Sequence, residues 1–176
     1  MNFLTMICLL PVAAFWAARW FFFRNVIDQV GSHDCRISVE TLVEKLHFAG
    51  KIPKSMKDKR TAEHLAEMLM ISSFESLKTQ HPQPVILRKR ADTWILLVPP
   101  FSLMIAAFAF FVAKNLTLIL LCVALVNALA AIFKFTTRQV ATLAADQAIE
   151  KLRRIRIPRQ ADEEPIIACI RALVWK

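Results

Sequence analysis

The sequence has no tyrosine, only two glycines, and fewer acids than bases. Gly31 and Gly50 leave no glycine-rich phosphate loop and no GxGxxG dinucleotide turn, which excludes nucleotide chemistry of those kinds. So few turn glycines also leave little room for tight hairpins, and a mainly α fold is expected. Asp and Glu number 14 against 23 Lys and Arg, giving a net charge of +9 and a pI of 9.8. The four cysteines, Cys8, Cys35, Cys122 and Cys169, form no CxxC pair and read as free thiols in a reducing compartment. What the chain has in excess is apolar surface. Hydrophobic residues make up 56% of the 176, which excludes a disordered chain.

These apolar residues are bunched into three runs. A bilayer span needs about 20 mostly apolar residues. Residues 3–23 and 94–113 meet that length, and 116–133 approach it. Only Lys114 and Asn115 separate the last two, so they are expected to form a helical hairpin. The rival reading, a hairpin inside a soluble protein, needs a polar face for water that these runs lack. The first run reads as an uncleaved anchor. A signal peptide carries its positive charge before the apolar region, whereas Arg19 and Arg24 lie at the far end of this one.

Charge sets the expected topology. Residues 24–93 hold 12 basic and 9 acidic residues, and residues 134–176 hold 9 and 5. By the positive-inside rule both segments are cytoplasmic, with the N-terminus outside and the C-terminus inside. The expected location is a bacterial cytoplasmic (inner) membrane, with the lipid bilayer as first partner. A pI this high also raises nucleic acid as a partner. None is expected here, because the cations flank spans and alternate with acids, which anionic lipid explains more simply.

Four segments follow: an anchor over 1–23, a cytoplasmic helical segment over 24–93, a hairpin over 94–135 and cytoplasmic helices over 136–176. Val39, Leu42, Val43 and Leu46 share one helix face, with Ser38 as N-cap and Gly50 as stop. Residues 51–60 form a basic linker. Thr61 caps a second helix to about Lys78, carrying Leu65, Met68, Leu69 and Leu77, and the HPQP run at 81–84 ends it. Val140, Leu143, Ala144, Ala148, Leu152 and Ile155 form a third stripe, stopped by Pro158. A last helix carries Asp162, Glu163 and Glu164 near its start, where the helix dipole favours acids.

Catalytic signals are sparse. Zinc needs two or three histidines converging with a carboxylate or thiolate. The histidines are His33, His47, His64 and His81. His33 and Cys35 are the closest local pair and read as a solvated loop. The run Glu63–Met68 is one residue short of an inverted HxxEH motif, so His64 and Glu67 read as a solvated helix face. No GxSxG or other motif pairs a serine with a base. Three spans with one edge cation, Arg19, offer no polar pathway for transport unless the protein oligomerises.

The order of parts resembles the bacterial membrane-bound neutral zinc metallopeptidases of the YugP type. Ser38–Ile52 occupies the place of that family's TGxEVAxxLLxxxGL helix. Pro84–Arg88 (PVILR) resembles its PLxLR stretch, and a two-span hairpin follows. Phe135–Ile149 and Glu163–Trp175 occupy the places of its TLPVEFDASRRAL and final helical segments. The resemblance covers most of the chain. It implies a zinc site of the HExxH type, with the glutamate as general base. That site falls on Met70–Phe74, or on Phe74–Lys78 with Glu75 at the base position. Neither register has a histidine at a ligand position, and the third ligand falls at Val140 or Ala141. The resemblance therefore implies a pseudoenzyme with a vestigial Glu75 and no metal or other cofactor. Such a protein acts by binding or regulating other membrane proteins. Two rivals stand beside it. One is an active peptidase using His64, Glu67 and His81 as ligands. The other is a membrane scaffold or assembly subunit unrelated to peptidases, including one that forms a homo-oligomer.

Overall fold

A computed structural model describes residues 3–48, 56–112, 116–155 and 160–176 of the chain. Among these residues the fold is mainly helical, and the only β pairing is an isolated bridge between Asp34 and Thr61. The helices are α1 (Phe3–Ala18), α2 (Val39–Lys45), α3 (Ala62–Gln80), α4 (Pro82–Val112), α5 (Leu116–Thr136), α6 (Arg138–Ile155) and α7 (Gln160–Leu173). Two wider π-type stretches, Arg19–Arg24 and Ile27–Gly31, follow α1. The expected hairpin tip at Lys114 and Asn115, the stops at Gly50 and Pro158, and the first half of the 51–60 linker lie outside the described residues.

The chain divides into two compact units. One comprises Met1–Ala17 with Ile86–Arg138, the other Ala18–Val85 with Gln139–Lys176. Two stretches are long and apolar enough to cross a membrane, Pro82–Phe108 in α4 and Thr117–Ile155, which runs through α5 into α6. Only 11% and 28% of their most apolar windows are buried, where the core helix of a soluble domain buries most of its length. Leu96, Leu103, Met104, Ile105 and Phe108 all stand exposed. At 16 residues, α1 falls short of the 21-residue run read as the first span.

Helix α4 starts 12 residues earlier than the apolar run that announces it. Pro82 and Pro84 do not prevent this, because a first-turn residue has no intrahelical partner for its N–H. They end α3 and open α4 together, with His81 as the only residue between. Within α4, Pro99 and Pro100 remove two backbone donors, and Ser102 Oγ donates to Pro99 O at 2.9 Å. The α4–α5 pairing steps along the helices in antiparallel register. Arg88 Nη1 donates to Lys134 O at 3.2 Å, Lys134 Nζ pairs with Asp92, and Asn127 Nδ2 donates to Ser102 Oγ at 2.8 Å. Such polar contacts hold apolar helices together where lipid removes any hydrophobic drive.

The second unit is built around α3. Nine α3 residues are buried, including Leu65, Met68 and Leu69 at 1% exposure or less. Helix α7 lies along α3, and Ile166, Cys169 and Ile170 join the same core. Helix α2 buries Val39, Leu42 and Val43, and Thr41 N donates to the Ser38 Oγ cap at 3.3 Å. It ends at Lys45, where His47 adopts a left-handed φ of 48° and turns the chain. Thr61 does not cap α3 with its side chain. Its hydroxyl pairs instead with His64 Nδ1. The buried stripe of α6 is Ala141, Ala144, Ala145, Ala148 and Leu152. This stripe is rotated from the expected one, leaving Leu143 exposed, because alanines permit a closer helix approach than leucine.

Leu69 has no exposed surface. Leu69→Ala should cost about 2–5 kcal/mol in thermal or denaturant unfolding of the protein in detergent. Ser73 is equally enclosed, and its hydroxyl has no hydrogen-bond partner among the described residues. Ser73→Ala should therefore hold or raise stability in the same assay, by up to about 1–3 kcal/mol.

Candidate functional site

The C-terminal end of α2, the middle of α3 and the end of α6 enclose an open cleft of about 1050 Å³. Lys45, His47, Ser72, Glu75, Ser76 and Lys151 are among its lining residues. Ser72 and Ser76 lie four residues apart on α3, so both point to the same side. Lys151 reaches them from α6. Its ammonium donates to Ser72 O at 2.9 Å, Ser72 Oγ at 3.1 Å and Ser76 Oγ at 2.8 Å. Ser76 Oγ in turn donates to Ser72 O at 3.0 Å. Burial pushes the Lys151 pKa down from its ordinary value. The serine–lysine distances suit proton transfer, but the donor count decides against it. Ser76 spends its hydroxyl proton on Ser72 O and not on Lys151, and the ammonium finds an acceptor for each of its three N–H groups. Lys151 is a charged clamp joining α6 to α3.

The sequence-predicted residues scatter around this cleft. Glu75 lines it and is exposed. Glu67 pairs with Lys176 Nζ, and His64 with Thr61. His81 sits just past the end of α3, 17 residues from His64, or about 25 Å along a helix. The structure does not bring His64, Glu67 and His81 together. Among the described residues no group of three or more His, Cys, Asp or Glu stands close enough to hold a metal ion. The positions that the resemblance gives to zinc ligands do not fit one either. Met70 and Ala141 are buried in the hydrophobic core and Phe74 packs against it, while in the other register Lys78 is exposed and Val140 half-buried, and neither side chain is a zinc donor.

The loop before α2 departs only in part from the solvated loop expected for His33 and Cys35, since His33 is exposed and Cys35 is not. Cys35 is buried at 2% exposure, and its N–H donates to Arg60 O at 2.8 Å. Asp162, read from sequence as a dipole-facing acid, is buried and serves this loop. It accepts from Arg36 N at 3.3 Å, and His33 Nε2 lies 3.4 Å from its other oxygen. Cys169 on α7 is fully buried in the same core. Burial, with the Asp162 and Asp34 carboxylates, pushes the Cys35 thiol up to about 11. Burial, with Glu63, does the same for Cys169.

Sequence reasoning missed the Lys151 clamp. The Ser72–Ser76 spacing was visible, but its partner lies 79 positions from Ser72 and looked like one cation of a basic helix face.

Two outcomes test this arrangement. Lys151→Met should lower unfolding stability by about 1–3 kcal/mol, because it removes charge-assisted hydrogen bonds. The two thiols should resist alkylation at pH 8 in the folded protein and react once it is unfolded. Their raised folded pKa means the native state holds the protons more tightly. That stabilisation is complete below the ordinary thiol value of 9.0 and is lost as pH rises through about 11. Unfolding stability measured from pH 8 to 11 should fall accordingly, and less steeply in Cys35→Ala and Cys169→Ala. No protein-family model, curated protein or solved structure matches the chain.

Proposed function

We propose that this chain is a multi-pass integral membrane protein that acts by binding other membrane proteins, on a scaffold resembling the zinc peptidases but without their metal. One observation carries the reading. In the two registers the resemblance would put ligands at Met70 and Phe74 or at Phe74 and Lys78, with Val140 or Ala141 as the third. Met70 and Ala141 belong to the hydrophobic core, Phe74 packs against it, and Lys78 is exposed. Methionine, phenylalanine and alanine supply none of the imidazole, carboxylate or thiolate donors that zinc takes. Lysine and valine supply none either, and a lysine adds a cation where a dication would sit. Glu75 is left as a lone carboxylate on the cleft.

The membrane part of the proposal adds α1 and the following aromatic turns as a third span, with both polar segments in the cytoplasm. Support comes from the charge bias of residues 24–93 and 134–176. Trp20, Phe21 and Phe22 are exposed beside Arg24, whose guanidinium lies 4.9 Å from the Trp20 ring centroid. Aromatic and cationic residues combined in this way suit the headgroup region.

The test is metal content and proteolysis on the full chain purified in detergent. Substoichiometric zinc and no chelator-sensitive cleavage of casein are expected. One tightly bound zinc per chain, lost in His64→Ala together with cleavage, would overturn the proposal in favour of an active peptidase.

A further inference from the structure

Ile86, Lys89, Arg90, Thr93 and Trp94 line an open recess of about 310 Å³ on α4. Their spacing of i, i+3, i+4, i+7 and i+8 places them on one helix stripe. Leu97, Phe101, Met104 and Phe108 continue the stripe, and all four are exposed. The acid of this region is turned away. Asp92 faces Arg88 Nε at 3.4 Å and Lys134 Nζ, so its charge is already met by two buried cations. Lys89 and Arg90 are exposed, and neither has an ion-pair partner among the described residues. The stripe thus runs from two unpaired cations, past an exposed indole, to a track of bare apolar side chains.

We propose that this stripe is a docking face for an anionic phospholipid. The phosphate sits against Lys89 and Arg90, Trp94 lies at the glycerol level, and an acyl chain follows Leu97, Phe101, Met104 and Phe108. The inference rests on the membrane reading above and adds the lipid class. Charge selects this occupant. A second copy docked through the same face by two-fold symmetry would bring Lys89 and Arg90 close to their own counterparts, in a chain already carrying +9. A neutral lipid would leave both cations uncompensated.

The test is native mass spectrometry of the full chain in neutral detergent. Phosphatidylglycerol, phosphatidylcholine and inorganic phosphate are added in separate arms. Phosphatidylglycerol should be retained at least about tenfold more than phosphatidylcholine, and inorganic phosphate should not displace it. Lys89→Gln with Arg90→Gln should cut that retention about tenfold. Arg153→Gln with Arg154→Gln, equal in charge but on α6, should leave it unchanged. Equal retention of the two lipids, displacement by free phosphate, or an equal loss in the α6 control overturns the proposal. So does a dimer that Trp94→Ala dissociates without any lipid preference. An alkaline carbonate wash separates the two levels. Release from membranes sinks the membrane reading itself, whereas retention without lipid preference sinks only the lipid site.

Discussion

The enclosure of α3 is the constraint on which the second unit depends. A helix in a globular fold usually keeps one face in water, but α3 is buried at Leu65, Ala66, Met68, Leu69 and Met70 in close succession, and again at Ser72, Ser73 and Leu77. Small residues at Ala62, Ala66, Ser72 and Ser73 let neighbouring backbones come close. Gly31 shows how close. A Cβ there would meet Ile27 Cγ2 at 3.0 Å and Glu63 of α3 at 3.5 Å. The side of α3 that reaches the cleft is confined to Ser72, Glu75, Ser76 and Thr79.

Polar groups in both units are placed by register. Lys151 crosses from α6 and uses its three donors on α3, fixing how far α6 slides along it. Arg88, Asp92 and Lys134 do the same for α4 and α5, with Ser102 and Asn127 as a further pair between the same helices. The Arg88–Asp92–Lys134 ion pairs add little net stability, since desolvation offsets much of the attraction. Their effect is on which residues face each other. Slipping α4 against α5 by one residue would leave the buried Arg88 and Lys134 without their acceptors, which is far costlier than losing the bond.

Much of the helix content could be read from residue spacing. The Val39–Leu42–Val43 face, the Ser38 cap and the apolar runs over 94–113 and 116–133 rest on local chemistry, and the structure places helices over all of them. Boundaries were harder. Pro82 and Pro84 signal an end to one helix and a start to the next with equal force. His47 ends α2 in a left-handed conformation that is uncommon for any residue with a side chain, and its position in the sequence does not announce it. On α6 the sequence favoured Leu143 as a core residue, yet the alanine at 141 won the interface, because close approach of two helices rewards small side chains over large ones.

The candidate site shows the same division more sharply. Composition by itself determined that the chain is helical and rich in bilayer-length apolar runs, and that nucleotide loops are absent. These follow from residue counts and from periodicities within a few turns. Only the tertiary structure decided that Lys151 is a clamp and that Asp162 and Cys35 are interior groups. It also decided that Met70 and Ala141 are core. Each of those facts depends on residues far apart in the chain meeting across a packed interface, and single-residue chemistry carries no information about who the neighbour will be.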